Sequence, residues 1–351
     1  MVKHYFNLKI AGLLRDRNSF ICKMLVSYLI PLLTPGVLMI ELMIPALTLL
    51  TSLGVLAVAS FFAIKYIEDF MEITRLSEVA AGFIILAIMT CMPELTVAIF
   101  AVYQGTAGIS IGDILGSHVF NIGIVVGLLA TWGSLKKCST ASLVELIDLL
   151  FIASLIPLLL VAFKIANPII GIALIVTFAF SFYRMSKKRR PPTFDDVEEK
   201  LPRRNKRRVF TILVVTLAAT ALVILAARFV ILSACEIIKL AGISPPEIGA
   251  KIVAVGTSLP ELAFGLTAMK RGRVHLALGD AIGANLTTVT LVLGLVLTFS
   301  PSIIEQIIFA EILVFVLIMN LILWWYLTKG GVTQVGGIIL IIMYVLFQAI
   351  L

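Results

Sequence analysis

The sequence predicts an all-α polytopic membrane protein: two inverted five-helix repeats forming a ten-helix core, with an extra N-terminal helix. Three observations carry that prediction. The 351-residue chain is 60% hydrophobic and 14% charged, with a mean hydropathy of +1.11, so its polar residues cannot cover the surface of a water-soluble domain. Its halves repeat: a shift of 167 residues lays Thr90-Cys91-Met92-Pro93-Glu94-Leu95 on Thr257-Ser258-Leu259-Pro260-Glu261-Leu262, and carries Gly82, Gly112, Asp113, Gly116 and Gly127 onto Gly249, Gly279, Asp280, Gly283 and Gly294. The matching blocks, residues 79–130 and 246–297, mark a duplication rather than a solenoid. Each half holds five apolar stretches, an odd number, so the second half enters the membrane with the opposite orientation.

In chain order, residues 1–41 form an N-terminal segment. Lys3, Lys9, Arg15 and Arg17 alternate there with Phe6, Leu8, Ile10, Leu13 and Leu14, the pattern of an interfacial helix over 1–18. Residues 19–40 are apolar but carry Pro31 and Pro35, and a kinked eleventh span is expected in preference to a half-inserted segment or an uncleaved signal anchor. The first repeat, 42–184, holds expected spans at 42–68, 77–102, 110–131, 145–163 and 167–184. The second, 209–351, holds them at 209–239, 247–268, 276–299, 303–328 and 332–351, each able to cross a hydrocarbon core of about 30 Å. The long polar stretch 185–208 joins the halves and reads as a solvated basic linker with a preference for anionic lipid.

The net charge of +8 is sorted by loop rather than gathered into a nucleic-acid surface. Loops near residues 70, 136, 195, 272 and 329, together with the N-terminus, collect 24 of the 28 Lys and Arg residues on one side. That side is expected to be cytoplasmic, with the C-terminus external, in a prokaryotic cell membrane. Cys22, Cys91, Cys138 and Cys235 lack CxxC spacing, so neither a disulfide framework nor a zinc site is expected.

The apolar runs of both repeats are broken at the same motif. Pro93 and Pro260 lack an N–H and interrupt their helices, while Glu94 and Glu261 beside them are costly to expose to lipid. Such a break frees backbone carbonyls, here those of Thr90 and Thr257, and turns them with the carboxylate into a polar cavity at mid-membrane depth. Two glutamates on one cavity suit a divalent cation, Ca²⁺ in particular, which accepts carboxylates, carbonyls and hydroxyls in irregular geometry. A pair of protonated glutamates bonded to neighbouring helices is the plainer alternative. The recurrence of so costly a residue in both halves argues against it.

A second repeated element, Gly112-Asp113 to Asn121 and Gly279-Asp280 to Thr288, pairs Ser117 with Asn121 and Ala284 with Thr288 at a spacing of four. On a helix each pair shares a face, with Asn121 and Thr288 able to reach the carboxylates. The glycines allow close helix approach, which is also plain small-residue packing. His118 lies about 100° away from Ser117 around the helix and is expected to pack or hydrogen-bond. Asp113 and Asp280 are expected near the entrances of their helices, as caps or cation attractors. Arg228 and Lys251 have no partner identifiable in the sequence.

These residues resemble the two alpha repeats of the cation/calcium antiporter superfamily, and the Pro-Glu-Leu form is similar to its sodium/calcium exchanger branch, the prokaryotic members above all. The resemblance covers the ten-span core. It implies two central glutamates, Glu94 and Glu261, shared by Ca²⁺ and transported Na⁺. It also implies backbone or hydroxyl ligands at Ala87, Thr90, Ala254, Thr257, Ser258 and Ser117, with a mid-site polar pair at Asn121 and Thr288. This chain departs from the usual pattern at Met89-Thr90-Cys91, where Gly-Thr-Ser is common, at Ala284 in place of serine, and at Thr288 in place of an acid or amide. A thiol is a weak substitute for a hydroxyl towards a hard cation. Each flanking monovalent site is therefore expected to be one oxygen short, with the divalent site intact.

The expected activity is secondary antiport of Ca²⁺ against Na⁺ by alternating access, with no cofactor, no nucleic-acid partner, lipid as surroundings and a monomer allowed. H⁺-coupled antiport of Ca²⁺ or another divalent cation is the alternative, favoured by the lost hydroxyls and requiring only that the glutamates protonate. A passive channel would use rings of like residues around a continuous pore, which an inverted repeat does not build. The apolar core contains no HExxH, GxSxG, P-loop or nucleophile–base pair, which speaks against an enzyme. Deleting most of residues 191–202 is expected to leave transport largely intact, because the linker only has to span two helix ends. Loss of transport in a variant that still expresses and stays monodisperse would make the linker a working part.

Overall fold

The computed structural model describes residues 41–59, 90–132, 135–136, 138–158, 168–187, 206–300 and 306–351. Among the described residues the first repeat contributes α1 (Glu41–Ala59), α2 (Met92–Tyr103), α3 (Ala107–Trp132), α4 (Ala141–Leu155) and α5 (Pro168–Ser186). The second contributes α6 (Lys206–Ala241), α7 (Pro245–Lys270), α8 (Val274–Phe299), α9 (Gln306–Thr328) and α10 (Gln334–Ile350). The expected interfacial helix, the eleventh span and residues 188–205 of the linker lie outside the described residues.

The duplication is visible in the backbone. The 167-residue shift carries α2 onto the second part of α7, Leu259–Lys270, and Ala107–Phe120 of α3 onto Val274–Thr287 of α8. Both α3 and α8 then widen into a π-helical turn at the equivalent place, Asn121–Val126 and Thr288–Val292. Helix starts follow ordinary capping chemistry: the side chains of Thr140, Ser244 and Thr333 accept from the N–H groups of Leu143, Glu247 and Gly336, and two prolines occupy the first turn of α7.

Burial sorts the helices into a centre and a periphery. In their most apolar windows 83% of α3 and 78% of α8 is buried, against 22% of α5. The centre is where polar groups lie: Thr90, Glu94, Asp113, Ser117, Asn121, Thr257, Glu261, Asp280 and Asn285 are all buried, while Ile169, Val176, Leu321, Ile338 and Val345 are exposed on α5, α9 and α10. A polar interior within an apolar exterior is the arrangement that lipid as solvent demands.

Glycines set how closely α3 and α7 approach. A Cβ at Gly112 would strike the Pro246 carbonyl, and one at Gly249 would strike the Ile109 carbonyl. Farther along, a Cβ on Gly116 would meet Ala250 O at 2.5 Å. This contact draws a helix of the first repeat onto the broken helix of the second.

One element departs from an all-helical expectation. Leu135–Lys136 pairs antiparallel with Gly331–Val332, matching Leu135 to Val332 and Lys136 to Gly331. Gly330 and Gly331, at φ 109° and 142°, let the chain turn out of α9 into this pairing before α10 begins. The connections near residues 136 and 329 therefore meet at one end of the bundle, as the loop-charge sorting expects. Lys251, without an evident partner in the sequence, pairs with Glu247 at 3.1 Å, one helical turn away.

Gly112→Ala is expected to lower the thermal midpoint in detergent, by an amount corresponding to about 1–3 kcal/mol of overpacking. Gly54→Ala in α1, where nothing lies within 4 Å of the added carbon, should be neutral or stabilising. Equal shifts for the two variants would contradict the close approach of α3 and α7.

Candidate cation site

The site is built where α2 begins and α7 is interrupted. Cys91, at φ −75° and ψ 2°, precedes Met92 and Pro93 of α2; Ser258, at φ −90° and ψ 4°, precedes Leu259 and Pro260 in the matching break of α7. Past each break the backbone ladder resumes with Leu95 N–H donating to Cys91 and Leu262 N–H donating to Ser258, at 2.9 and 3.2 Å. Each break thus delivers its glutamate into the interior from the first turn of a new helical segment, where the N-terminal end of the helix favours negative charge.

Glu94 and Glu261 are fully buried, and all four of their carboxylate oxygens lack a hydrogen-bond partner among the described residues. Further buried acceptors without partners are Ser258 Oγ, Asn121 Oδ1 and the Oδ2 atoms of Asp113 and Asp280. Orphaned oxygens are rare in a folded interior, and so many together in one polar centre are chemically suited to a hard cation. Among the described residues no three Asp, Glu, His or Cys side chains converge into a metal cluster, so hydroxyl and carbonyl oxygens must complete any coordination shell.

Asp113 and Asp280 do not stand at helix entrances. Each lies in the interior of its helix, because both helices begin earlier than the charge pattern implied, at Ala107 and Val274. Instead the two aspartates cross between halves. Thr257 Oγ1 donates to Asp113 Oδ1 at 2.8 Å, and Thr90 Oγ1 donates to Asp280 Oδ1 at 3.3 Å. Neither hydroxyl meets hydrogen-bonding geometry with Glu94 or Glu261, whose four oxygens have no partner among the described residues.

Asn121 reaches across to the second half, where its Nδ2 donates to Asn285 Oδ1 at 3.0 Å, and Asn285 Nδ2 donates onward to the His118 carbonyl at 3.2 Å. Thr288 instead donates to its own helix, to Asn285 O at 3.2 Å, and Ser117 donates to Ile114 O at 3.0 Å. Ala254 is buried, and its carbonyl accepts from Ser258 N–H at 3.2 Å; Ala87 lies outside the described residues. His118 is buried and bonded through Nε2 to Asn320 Oδ1 at 2.8 Å, and Asn320 Nδ2 continues to Ser154 at 2.9 Å. Asn285 was not among the expected site residues. Its signal in the sequence was its position as the repeat mate of His118.

The two departures Cys91 and Ala284 fall together. Cys91 Sγ donates to Ala284 O at 3.4 Å, so the thiol and the missing hydroxyl adjoin one another on a single flank. The repeat operation carries this pair onto Ser258 and Ser117, both of which keep their hydroxyls. The contact thus joins two of the three departures, while the third, Thr288, donates to Asn285 O within its own helix.

A family profile described as "Sodium/calcium exchanger protein" matches residues 44–187 and 211–351. The sodium/calcium exchanger MaX1 of Methanosarcina acetivorans is 28% identical over 347 residues, covering 87% of this chain and 97% of that one. The inner membrane protein YrbG of Escherichia coli is 25% identical over 280 residues, covering 74% and 83% respectively. Among solved structures, the sodium-calcium exchanger NCX_Mj soaked with Na⁺ and Sr²⁺ aligns with a TM-score of 0.65 at 25% identity, over 88% of this chain and 99% of its own. The profile matches both halves and skips only residues 188–210 between them, and the fold agrees: this chain belongs to the sodium/calcium exchanger family of multi-pass membrane transporters, and it is not an enzyme.

Proposed function

We propose that the chain is a secondary active antiporter that exchanges Ca²⁺ for Na⁺ by alternating access at a mid-membrane site centred on Glu94 and Glu261. The observation that carries this reading is the pair of fully buried carboxylates, one from each inverted half, with no hydrogen-bond partner among the described residues on any of four oxygens. Thr90 and Thr257 supply hydroxyl and carbonyl oxygens to the same ions, Ser117, Ser258 and Asn121 add neutral oxygens, and Thr288 and the carbonyls of Ala87 and Ala254 complete the set. A site that holds either one divalent ion or several monovalent ions returns to the same net charge in each case. Only such a compensated site passes through an apolar barrier at low cost, which makes exchange obligatory.

H⁺ coupling is the second reading, and the specific observation in its favour is the Cys91–Ala284 contact, which leaves one flank without hydroxyl oxygens. Uptake of ⁴⁵Ca²⁺ into proteoliposomes, driven separately by outward Na⁺ and outward H⁺ gradients, decides between the two. Uptake driven by Na⁺ alone supports the proposal; uptake driven by H⁺ alone replaces it with the alternative.

Glu94→Gln and Glu261→Gln are each expected to abolish Ca²⁺ exchange while leaving a monodisperse, folded protein, because one remaining carboxylate cannot balance a divalent charge. Robust exchange by either variant would remove the two glutamates from the site.

Cys91→Ser with Ala284→Ser should strengthen Na⁺ inhibition of Ca²⁺ uptake, lowering the half-inhibiting Na⁺ concentration roughly three- to tenfold, or about 1 kcal/mol of added binding. Thr288→Asp should change Ca²⁺ affinity more than either serine, since only it adds charge. Steep Na⁺ inhibition in the wild type, unmoved by the two serines, would mean that Na⁺ binds through other oxygens.

A further inference from the structure

We propose that Asp113 and Asp280 are positioning residues of the cation site, each drawing the hydroxyl hydrogen of the opposite half's threonine away from the ion. The inference rests on the reading of Glu94 and Glu261 as the ion-binding pair. A hydroxyl carries one hydrogen and two lone pairs, and it serves as a cation ligand only through the lone pairs. Thr257 stands beside Glu94, so the direction of its single hydrogen decides its role. Pointed at Glu94, the hydrogen would occupy the carboxylate and face the cation with the wrong polarity. Pointed elsewhere, it leaves Thr257 Oγ1 and Glu94 free to share one ion.

A threonine within a helix ordinarily donates to a carbonyl one turn back. Thr257 has two such options, Val253 O and Ala254 O, both at 3.2 Å. Asp113 Oδ1 is nearer, at 2.8 Å, and a carboxylate is the stronger acceptor. The aspartate therefore takes the hydrogen, and Ala254 O, one of the expected backbone ligands, is spared the competing bond. Thr90 repeats the arrangement with Asp280 at 3.3 Å, beside Glu261. In both pairs threonine and aspartate come from different halves, and both aspartates are buried in the interior of a helix where no cap is needed. Neither aspartate is in an ion pair among the described residues, and in each the carboxylate oxygen that does not accept from the threonine has no partner there.

The test separates acceptor from charge and both from plain packing, using full-length variants in proteoliposomes with KM and maximal rate for Ca²⁺ measured separately. Asp113→Leu should raise the Ca²⁺ KM by about tenfold or more, the scale of a lost hydrogen bond to a charged group, while Asp113→Asn, which keeps an oxygen for the threonine hydrogen, should recover most of that loss. With Thr257→Val there is no hydroxyl left to direct, so adding Asp113→Leu should raise KM no further. Binding of ⁴⁵Ca²⁺ to purified protein gives the same comparison where turnover is too slow. If Asp113→Leu does not fold, the twin pair, Asp280→Leu against Asp280→Asn with Thr90→Val, gives the same comparison. Three results overturn the proposal: an unchanged KM in the leucine variant, an asparagine variant as impaired as the leucine one, or a leucine effect that persists without the threonine hydroxyl. Exchange surviving Glu94→Gln would instead overturn the site itself, a failure visible without any aspartate variant.

Discussion

Two buried carboxylates, with no hydrogen bond to either among the described residues, are the constraint on which the rest of this structure depends. The effective penalty for burying an unpaired charge is several kcal/mol even after relaxation, so a fold that buries Glu94 and Glu261 side by side must repay it. Neutral oxygens reduce the cost without removing it. The helix ends at Met92 and Leu259 contribute favourable dipoles, and the threonine hydroxyls stand close by. On the proposed reading, what remains is an affinity for cations, and that residual instability is the source of transport.

The surrounding architecture holds the two breaks together. Glycines at 112, 116 and 249 remove the side chains that would separate α3 from α7, and the resulting approach aligns Asp113 with Thr257 across the boundary between halves. Small residues let helices pack closely where lipid gives no hydrophobic drive to do so. Asn121 and Asn285 add a second cross-half contact just where α3 and α8 widen into π-helical turns. A π-helical turn costs backbone regularity and is seen most often beside functional sites.

Much of this was legible because duplication repeats its signals. The shift of 167 residues gave the halves, and hydropathy placed α3, α5, α7 and α8 to within about three residues. The glutamates stood out because burial is expensive for that residue type wherever it falls. The Asp113–Thr257 and Thr90–Asp280 bonds were hidden, since partners 144 and 190 residues apart leave no local spacing to read. Hydropathy also misplaced the aspartates: it began α3 at residue 110 rather than Ala107, which put Asp113 in the first turn. Cys91 and Ala284 were noticed singly, and only the fold shows that the thiol of one meets the backbone carbonyl of the other.

That asymmetry bears on how an inverted repeat divides its labour. A strict two-fold would make the two flanks of the glutamate pair equivalent, each able to hold the same ion with the same oxygens. Here Ser258 and Ser117, the repeat mates of Cys91 and Ala284, keep their hydroxyls, with Ser258 Oγ buried and without a partner among the described residues, whereas the Cys91 thiol donates to the Ala284 carbonyl. A hard monovalent cation gains less from a thiol and a methyl than from two hydroxyls. On the proposed reading, the two halves share the divalent ion through Glu94 and Glu261 but meet the counter-ion unequally. On the proposed reading, that inequality sets how many monovalent charges are exchanged for each Ca²⁺, because the flank beside Cys91 must neutralise its glutamate with fewer oxygen-held ions or with a proton.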